Sequence, residues 1–224
     1  VRAFFLFVFF VATAIQVSFP WHQVYLAHVA SKPMVVLSLL AYYLAGESAR
    51  TRSALFVAAL LMSWAGDVLL MGAGDLFFML GLAAFLLSHI TYIAVYRQYA
   101  IRPSTPQPLA NVVFARSAFP VLLAGSGLVV ILYPHLGSLK IPVLVYAVAL
   151  VAMVLQAMRR RGRTSPASFW WVVAGALLFM VSDSLLAINR FYTPISQATF
   201  WIMTTYAMAQ FCIVRGIMLH GGRP

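Results

Sequence analysis

The sequence predicts an all-α integral membrane protein, a single bundle of eight transmembrane helices with both termini in the cytoplasm. Three observations carry that expectation. Of the 224 residues, 63% are hydrophobic and only 8% are charged, with a mean hydropathy of +0.95. A soluble domain carries about 25% charged residues, so the four acids and fifteen bases of this chain are too few to cover a water-soluble globule. The apolar residues fall into eight runs, each near the roughly 20 residues that a membrane-spanning helix needs, and the bases lie between the runs, where they set membrane orientation.

The runs are Ala3–Phe19, Ala27–Ala45, Ser53–Met71, Leu76–Tyr96, Val112–Tyr133, Ile141–Met158, Ser168–Ile188 and Ile195–Leu219. Turn formers punctuate them: Phe19-Pro20, Gly72-Ala73-Gly74, Arg102-Pro103 through Pro108, Ser165-Pro166 and Thr193-Pro194. No connection is long enough to separate two domains, so residues 1–224 are read as one polytopic transmembrane domain. The first run, with Arg2 ahead of it and Ala12-Thr13-Ala14 behind, has features of a signal peptide. Removing it leaves an awkward seven-span topology, so it is counted as a span. The chain begins at Val1 rather than methionine, which leaves its true start open.

Walking eight spans from a cytoplasmic N-terminus places Arg2, Arg50, Arg52, Arg97, Arg102, Arg116, Arg159, Arg160, Arg161, Arg163, Arg215 and Arg223 at the inner face. Only Lys32, Lys140 and Arg190 fall outside, a clear positive-inside asymmetry. The net charge of +11 is therefore a topology signal; nucleic acid, which needs a basic face on a soluble surface, is not an expected partner. The Arg159–Arg163 run anchors topology and is also suited to anionic lipid. The single cysteine, Cys212, lies in the last run, which excludes intramolecular disulfides and cysteine-cluster metal sites.

The acids divide cleanly. Glu47 and Asp75 fall in connections and are expected to be solvated. Asp67 and Asp183 lie inside apolar runs, where a charge left at the bilayer centre costs at least ~2.5–3.5 kcal/mol and such residues are usually functional or paired. Asp67 follows Ser53 by fourteen residues and Asp183 follows Ser168 by fifteen. At 1.5 Å per residue both rise about 21–23 Å from the inner face, to matching depth in the outer half, so a shared polar cavity is expected. Leu60, Ser63, Trp64 and Met71 share the Asp67 face of their helix; Phe179, Met180, Ala187 and Arg190 share that of Asp183.

The surroundings of the two acids match as well. Gly66-Asp67-Val68-Leu69-Leu70 and Ser182-Asp183-Ser184-Leu185-Leu186 share a small-Asp-x-Leu-Leu pattern, and Phe85-Leu86-Leu87-Ser88-His89 echoes Tyr206-Ala207-Met208-Ala209-Gln210. Helices one to four and five to eight can be read as parallel repeats with a site between them. Arg190 stands two turns beyond Asp183, and Lys32-Pro33 opens helix two at the same rim. Two cations above two acids suggest a pocket with an anion-reading mouth and an apolar wall, suited to a phospholipid head group; snorkelling of both cations to the interface is the plainer alternative. His22, His28, His89, His135 and His220 are scattered with no paired metal-ligand spacing, leaving a zinc site assembled from distant helices as a minor alternative. His89 reads as a hydrogen-bonded interior histidine. Neither a Gly-x-Ser-x-Gly elbow nor a phosphate-binding glycine loop is present in the sequence.

At these residues the chain resembles the YhhN-like lysoplasmalogenase family. The resemblance rests on Ser31-Lys32-Pro33, on Ala65 through Met71, on Phe77 through Phe85, on Leu87-Ser88-His89, on Val181 through Phe191, and on Tyr206 through Gln210. With the apolar runs between, it covers most of the chain, and Ser182-Asp183-Ser184-Leu185-Leu186-Ala187 followed by Asn189-Arg190-Phe191 is its most specific part. The resemblance implies hydrolysis of the vinyl ether bond of lysoplasmalogens to a fatty aldehyde and glycerophospho-ethanolamine or -choline, with Asp67 and Asp183 as the catalytic pair.

That chemistry suits two intramembrane acids. A vinyl ether is hydrolysed by protonation at carbon, giving an oxocarbenium ion that water captures. Burial and a neighbouring carboxylate both favour the protonated form of an acid, so a pair can share one proton, and glycosidases meet a related cation with two carboxylates. Which aspartate is the acid stays open, because a coupled pair titrates jointly. No metal or organic cofactor is called for. Lys32 and Arg190 are expected to receive the phosphate, and Asn189, His89, Tyr206 and Gln210 to orient substrate or water. The expected partners are a lysophospholipid substrate and membrane lipid. The expected location is a bacterial inner membrane with the site open toward the outer side. A proton-coupled or lipid transporter, whose acids relay protons, and a non-catalytic lipid-binding protein are the competing classes.

Overall fold

The computed structural model describes residues 1–22, 24–48, 51–101 and 108–220; the expected anchors Arg50, Arg102 and Arg223 lie outside them. Eight α-helices follow one another: α1 (Arg2–His22), α2 (Tyr25–Gly46), α3 (Ala54–Leu69), α4 (Asp75–Gln98), α5 (Pro108–Leu132), α6 (Lys140–Met158), α7 (Pro166–Phe191) and α8 (Ala198–Met218). Two 3₁₀ turns, Tyr133–His135 and Gly137–Leu139, join α5 to α6. No strand occurs among the described residues. Each helix coincides with one apolar run, because runs of this length satisfy their backbone groups internally only as helices when water is absent.

Six helices, α1, α2, α4, α5, α6 and α7, are long and apolar enough to cross a membrane, and the chain is an integral membrane protein. Against the expectation of eight transmembrane helices, α3 is the shortest of the eight. Its apolar run extends to Met71, yet the helix stops at Leu69 after 16 residues, about 24 Å at 1.5 Å per residue against a hydrocarbon core of about 30 Å. The cause is local. Met71 N–H and Gly72 N–H turn back to Val68 and Leu69 carbonyls at 3.1 and 3.0 Å. Gly74 then adopts φ +90°, a left-handed conformation open to glycine. At α8, Thr204, Thr205, Gln210 and Arg215 make the helix more polar than the six.

The packing follows a repeating scheme. α1 lies on α2 as α5 lies on α6; α2 meets α3 as α6 meets α7; α3 pairs with α4 as α7 pairs with α8; and α4 meets α6 as α8 meets α2. Six helices thereby close a ring around one core that includes Leu39, Phe85, Met153, Phe179 and Ile213. α1 and α5 stand outside it and turn Phe4, Phe7 and Phe10, and Phe119, Leu123 and Val130, outward, as lipid-facing helices do. The scheme breaks in one place. α1 also packs on α8, whereas among the described residues α5 makes hardly any contact with α4.

Candidate active site

The two aspartates reach the core on separately anchored helices. Ser53 caps α3 by accepting from Phe56 N–H at 3.2 Å, and its hydroxyl donates to Gln98 at 3.0 Å, fixing the start of α3 against the end of α4. Higher up, the Ser63 and Ser88 hydroxyls meet at 2.7 Å and Ser88 donates to the Ala59 carbonyl at 2.9 Å. Gly66 then lets α4 close in, because a Cβ there would lie 2.5 Å from a Phe85 ring carbon. Asp67, in the last turn of α3, is left 3% exposed.

α7 is built in the same way. Ser165 accepts from Ser168 N–H at 3.2 Å, with Pro166 pre-set for the first turn. Two turns before Asp183, a Cβ on Gly175 would lie 2.8 Å from the Ala209 carbonyl oxygen, so the α7 and α8 backbones touch. Ser182 donates to the Ile202 carbonyl at 3.1 Å, completing the seam beside Asp183.

Each carboxylate receives one phenol. Tyr206 on α8 donates to Asp67 Oδ2 at 2.7 Å; Tyr146 on α6 donates to Asp183 Oδ2 at 2.5 Å. Behind Tyr206 a buried relay continues: Gln210 Nε2 donates to the Tyr206 oxygen at 3.3 Å, and Tyr92 donates to Gln210 Oε1 at 2.8 Å. The two acids interact electrostatically with each other, and Asp67 also with the Lys32 ammonium. Between them stands an aromatic group. Phe179 packs edge-on to Tyr206 at 5.4 Å and to His89 at 4.8 Å, and Phe85 packs on both Phe179 and Tyr206.

The expected ligands of the site separate into three sets. Asp67, Tyr206 and Gln210 form one hydrogen-bonded unit; Asp183 and His89 meet at its side, His89 Nε2 lying 3.6 Å from Asp183 Oδ2. His89 is fully buried, but the expected hydrogen bond is absent: neither ring nitrogen has a partner within hydrogen-bond range, because the ring is wedged edge-on between Phe179 and Tyr146. The remaining residues sit apart. Arg190 pairs with Asp75 at 2.6 Å, so neither is a lone rim charge, and the Asp75 side chain stays exposed as expected. Asn189 Oδ1 accepts from Ile195 N–H at 2.9 Å, shaping the turn into α8. Half-buried Lys32 lies on α2, on the Asp67 side of the bundle. Glu47 accepts from Thr51 at 2.6 Å.

Sequence reasoning missed Tyr146. Its signal was a lone phenol in an otherwise apolar helix, Val143-Leu144-Val145-Tyr146-Ala147-Val148, which is also how an ordinary core aromatic looks. Beside it opens an apolar cleft between α4, α5, α6 and α7, lined by Phe78, Leu82, Phe85, Leu128, Leu150 and Met180 among others, with Asp183 in its wall. Among the described residues no three histidine, cysteine, aspartate or glutamate side chains converge to hold a metal ion. The arrangement can deliver and accept a proton at a hydrocarbon-lined surface and hold a second carboxylate nearby.

Residues 27–217 match the YhhN family. Over 163 residues the chain is 37% identical to a protein named lysoplasmalogenase from Mycobacterium bovis, an alignment covering 71% of this chain and 59% of that one. It is 32% identical over 182 residues to lysoplasmalogenase TMEM86B of Sus scrofa, covering 81% and 71%. It is 33% identical over 155 residues to the human TMEM86B protein, covering 69% and 59%. The chain thus spans about three fifths of the length of the mycobacterial relative. No solved structure matches.

Proposed function

The chain belongs to the YhhN family, and on that premise we propose that it hydrolyses the vinyl ether bond of lysoplasmalogens in the membrane. The relatives that carry the name lysoplasmalogenase support the reaction class. The observation that carries the reading is the pair of core carboxylates, each held by one phenol, with an apolar cleft leading to Asp183.

In the proposed reaction R–CH=CH–O–R′ takes up one water and yields the aldehyde R–CH2–CHO and the alcohol HO–R′, here glycerophospho-ethanolamine or -choline. One acid of the pair protonates the alkene carbon remote from oxygen. The other carboxylate stabilises the resulting oxocarbenium ion and takes the proton of the water that attacks it. The hemiacetal then collapses: the newly protonated acid gives its proton to the glycerol oxygen as the bond between that oxygen and the hemiacetal carbon breaks, and the first acid regains its proton from the hemiacetal hydroxyl. Tyr146 and Tyr206 fix one oxygen of each acid and leave the other free for proton transfer. Donors and acceptors held in place before the reaction are what electrostatic catalysis requires. Arg190 would receive the phosphate by exchanging its bond to Asp75. Lys32 would act from the Asp67 side.

We read residues 1–224 as one polytopic unit with cytoplasmic termini, in the cell membrane of a bacterium, and with the acids in the outer half of the bilayer. The test is aldehyde release by the purified chain from a lysoplasmalogen, beside the ester-linked lysophospholipid of the same head group. Release from the vinyl ether alone is expected. Cleavage of the ester instead makes the protein a lysophospholipase, and turnover of neither by well-folded protein returns the reading to lipid binding or transport.

A further inference from the structure

The two halves of the bundle differ where the repeating scheme breaks. On the Asp67 side the outer helix is sealed to the ring: Phe9 of α1 stacks on Phe211 of α8 at 5.8 Å and Phe10 closes on the same ring at 6.0 Å. The corresponding seam on the Asp183 side lies between α5 and α4. Among the described residues those helices hardly touch, yet both line the apolar cleft that has Asp183 in its wall.

The cleft is closed at both ends. At its floor, Gly125 of α5 meets Val151 of α6 so closely that a Cβ would lie 2.6 Å from Val151 Cγ2. At the opposite end Phe78 of α4 packs edge-on to Phe191 of α7 at 5.6 Å, and the Arg190–Asp75 pair spans the same two helices, with the guanidinium over the Phe78 ring. α6 and α7 pack against each other behind. What remains without a helix–helix seam is the side between α4 and α5.

We propose that the gap between α4 and α5 is a lateral portal through which the hydrocarbon chain of a single-chain lipid passes from the bilayer to Asp183, with Asp67 reached only past Phe85. The inference rests on the hydrolase reading for the identity of the lipid. The lining fits a hydrocarbon with one reactive point. Among its polar side chains, the Tyr146 hydroxyl is engaged by Asp183, and Ser184 donates to the Met180 carbonyl at 2.6 Å, leaving the Asp183 carboxylate as the group that faces the chain. Phe85 lines the cleft on one side and packs on Tyr206, the partner of Asp67, on the other. A substrate arriving this way meets Asp183 first. It need not leave the membrane, so the cost of bringing a lipid chain through water is avoided.

The test is photolabelling of the full chain in phosphatidylcholine vesicles with an alkyl-ether lysophosphatidylcholine that carries a diazirine along its chain. Adducts are expected on Leu82, Leu128 and Val129, and not on Phe9 or Phe211. Leu128→Trp, which fills the gap, should cut labelling and lower kcat/KM for aldehyde release at least tenfold, while Phe9→Trp stays within twofold of the parent. If the tryptophan variant fails to fold, Leu128→Ala widens the gap and should raise kcat/KM. Adducts concentrated on α1 and α8, or spread evenly over every lipid-facing helix, overturn the portal, as does an unchanged or lowered kcat/KM in Leu128→Ala. Labelling needs no turnover. Protein labelled at α4 and α5 that releases no aldehyde keeps the portal and loses the hydrolase reading, and hydrolysis with labelling elsewhere does the reverse.

Discussion

The Tyr146 hydroxyl donates to Asp183 Oδ2 at 2.5 Å from a neighbouring helix, and among the described residues no lysine or arginine lies within ion-pair distance of that carboxylate. Asp67 has the same kind of phenol partner but also the Lys32 charge. The two acids are therefore built alike and supported unequally, with Asp183 leaning on a single hydroxyl.

Removing that hydroxyl should be the more costly change. A hydrogen bond to a charged group contributes about 1.5–3 kcal/mol, which corresponds to roughly 10- to 100-fold in rate. Tyr146→Phe is expected to lower kcat for aldehyde release by that factor with little change in KM, and Tyr206→Phe to lower it less. Steady-state kinetics of both variants, with melting temperatures as a folding control, check the order.

Asp67→Asn and Asp183→Asn keep the shape of each side chain and remove its proton chemistry. General acid–base catalysis contributes roughly 10²–10⁴-fold, so each variant should lose at least that much aldehyde release while eluting as monodisperse protein of unchanged helicity. Loss of the fold in both variants would make the acids structural and remove the reading's main support.

The acid pair was legible because carboxylates in apolar runs stand out against a background that cannot solvate them. The eight runs became eight helices for the same reason, with ends displaced by local chemistry. The last apolar run begins at Ile195, yet α8 starts at Ala198, because Ile195 N–H is held by Asn189 and Gln197 adopts φ 54°. What stayed hidden is what depends on long-range partners. Arg190 and Asp75 are 115 positions apart, and nothing local to either announces the other. Tyr146 has no sequence mark that separates it from a core aromatic until α6 is laid beside α7. The α4–α5 gap is invisible as well, since a missing contact leaves no residue pattern.

Gly175 tests the seam that holds Asp183 in place. A Cβ there would lie 2.8 Å from the Ala209 oxygen and 2.9 Å from the Ile213 nitrogen, and backbone cannot step aside as a side-chain tip can. Overpacking of a tight core costs about 1–3 kcal/mol, so Gly175→Ala should lower the melting temperature in detergent and reduce turnover together. Gly127, where a Cβ would meet nothing within 4 Å, is the control: Gly127→Ala should be neutral or slightly stabilising.

The connection between α6 and α7 offers a pH test away from the acids. His220 Nδ1 meets the Thr164 hydroxyl at 2.6 Å. Arg160, fully buried, donates to Ser168 at 2.8 Å and reaches Thr164 at 3.4 Å. Burial first, and then the Arg160 charge, hold the His220 pKa below its ordinary 6.5. Arg160 itself is lowered to about 10, chiefly by burial, and so stays charged near neutrality. The folded protein thus prefers neutral His220, whereas the unfolded chain takes up the proton as pH falls through about 6.5. Where the unfolded state binds more protons, stability rises with pH. This contribution is therefore present above about pH 6.5 and is lost progressively on acidification toward the lower folded pKa. Thermal unfolding in detergent between pH 7.5 and 5 should show a fall in melting temperature that is shallower in His220→Gln. An equal slope in the variant would mean that other groups carry the acid sensitivity and that the contact of His220 with Thr164 is indifferent to protonation.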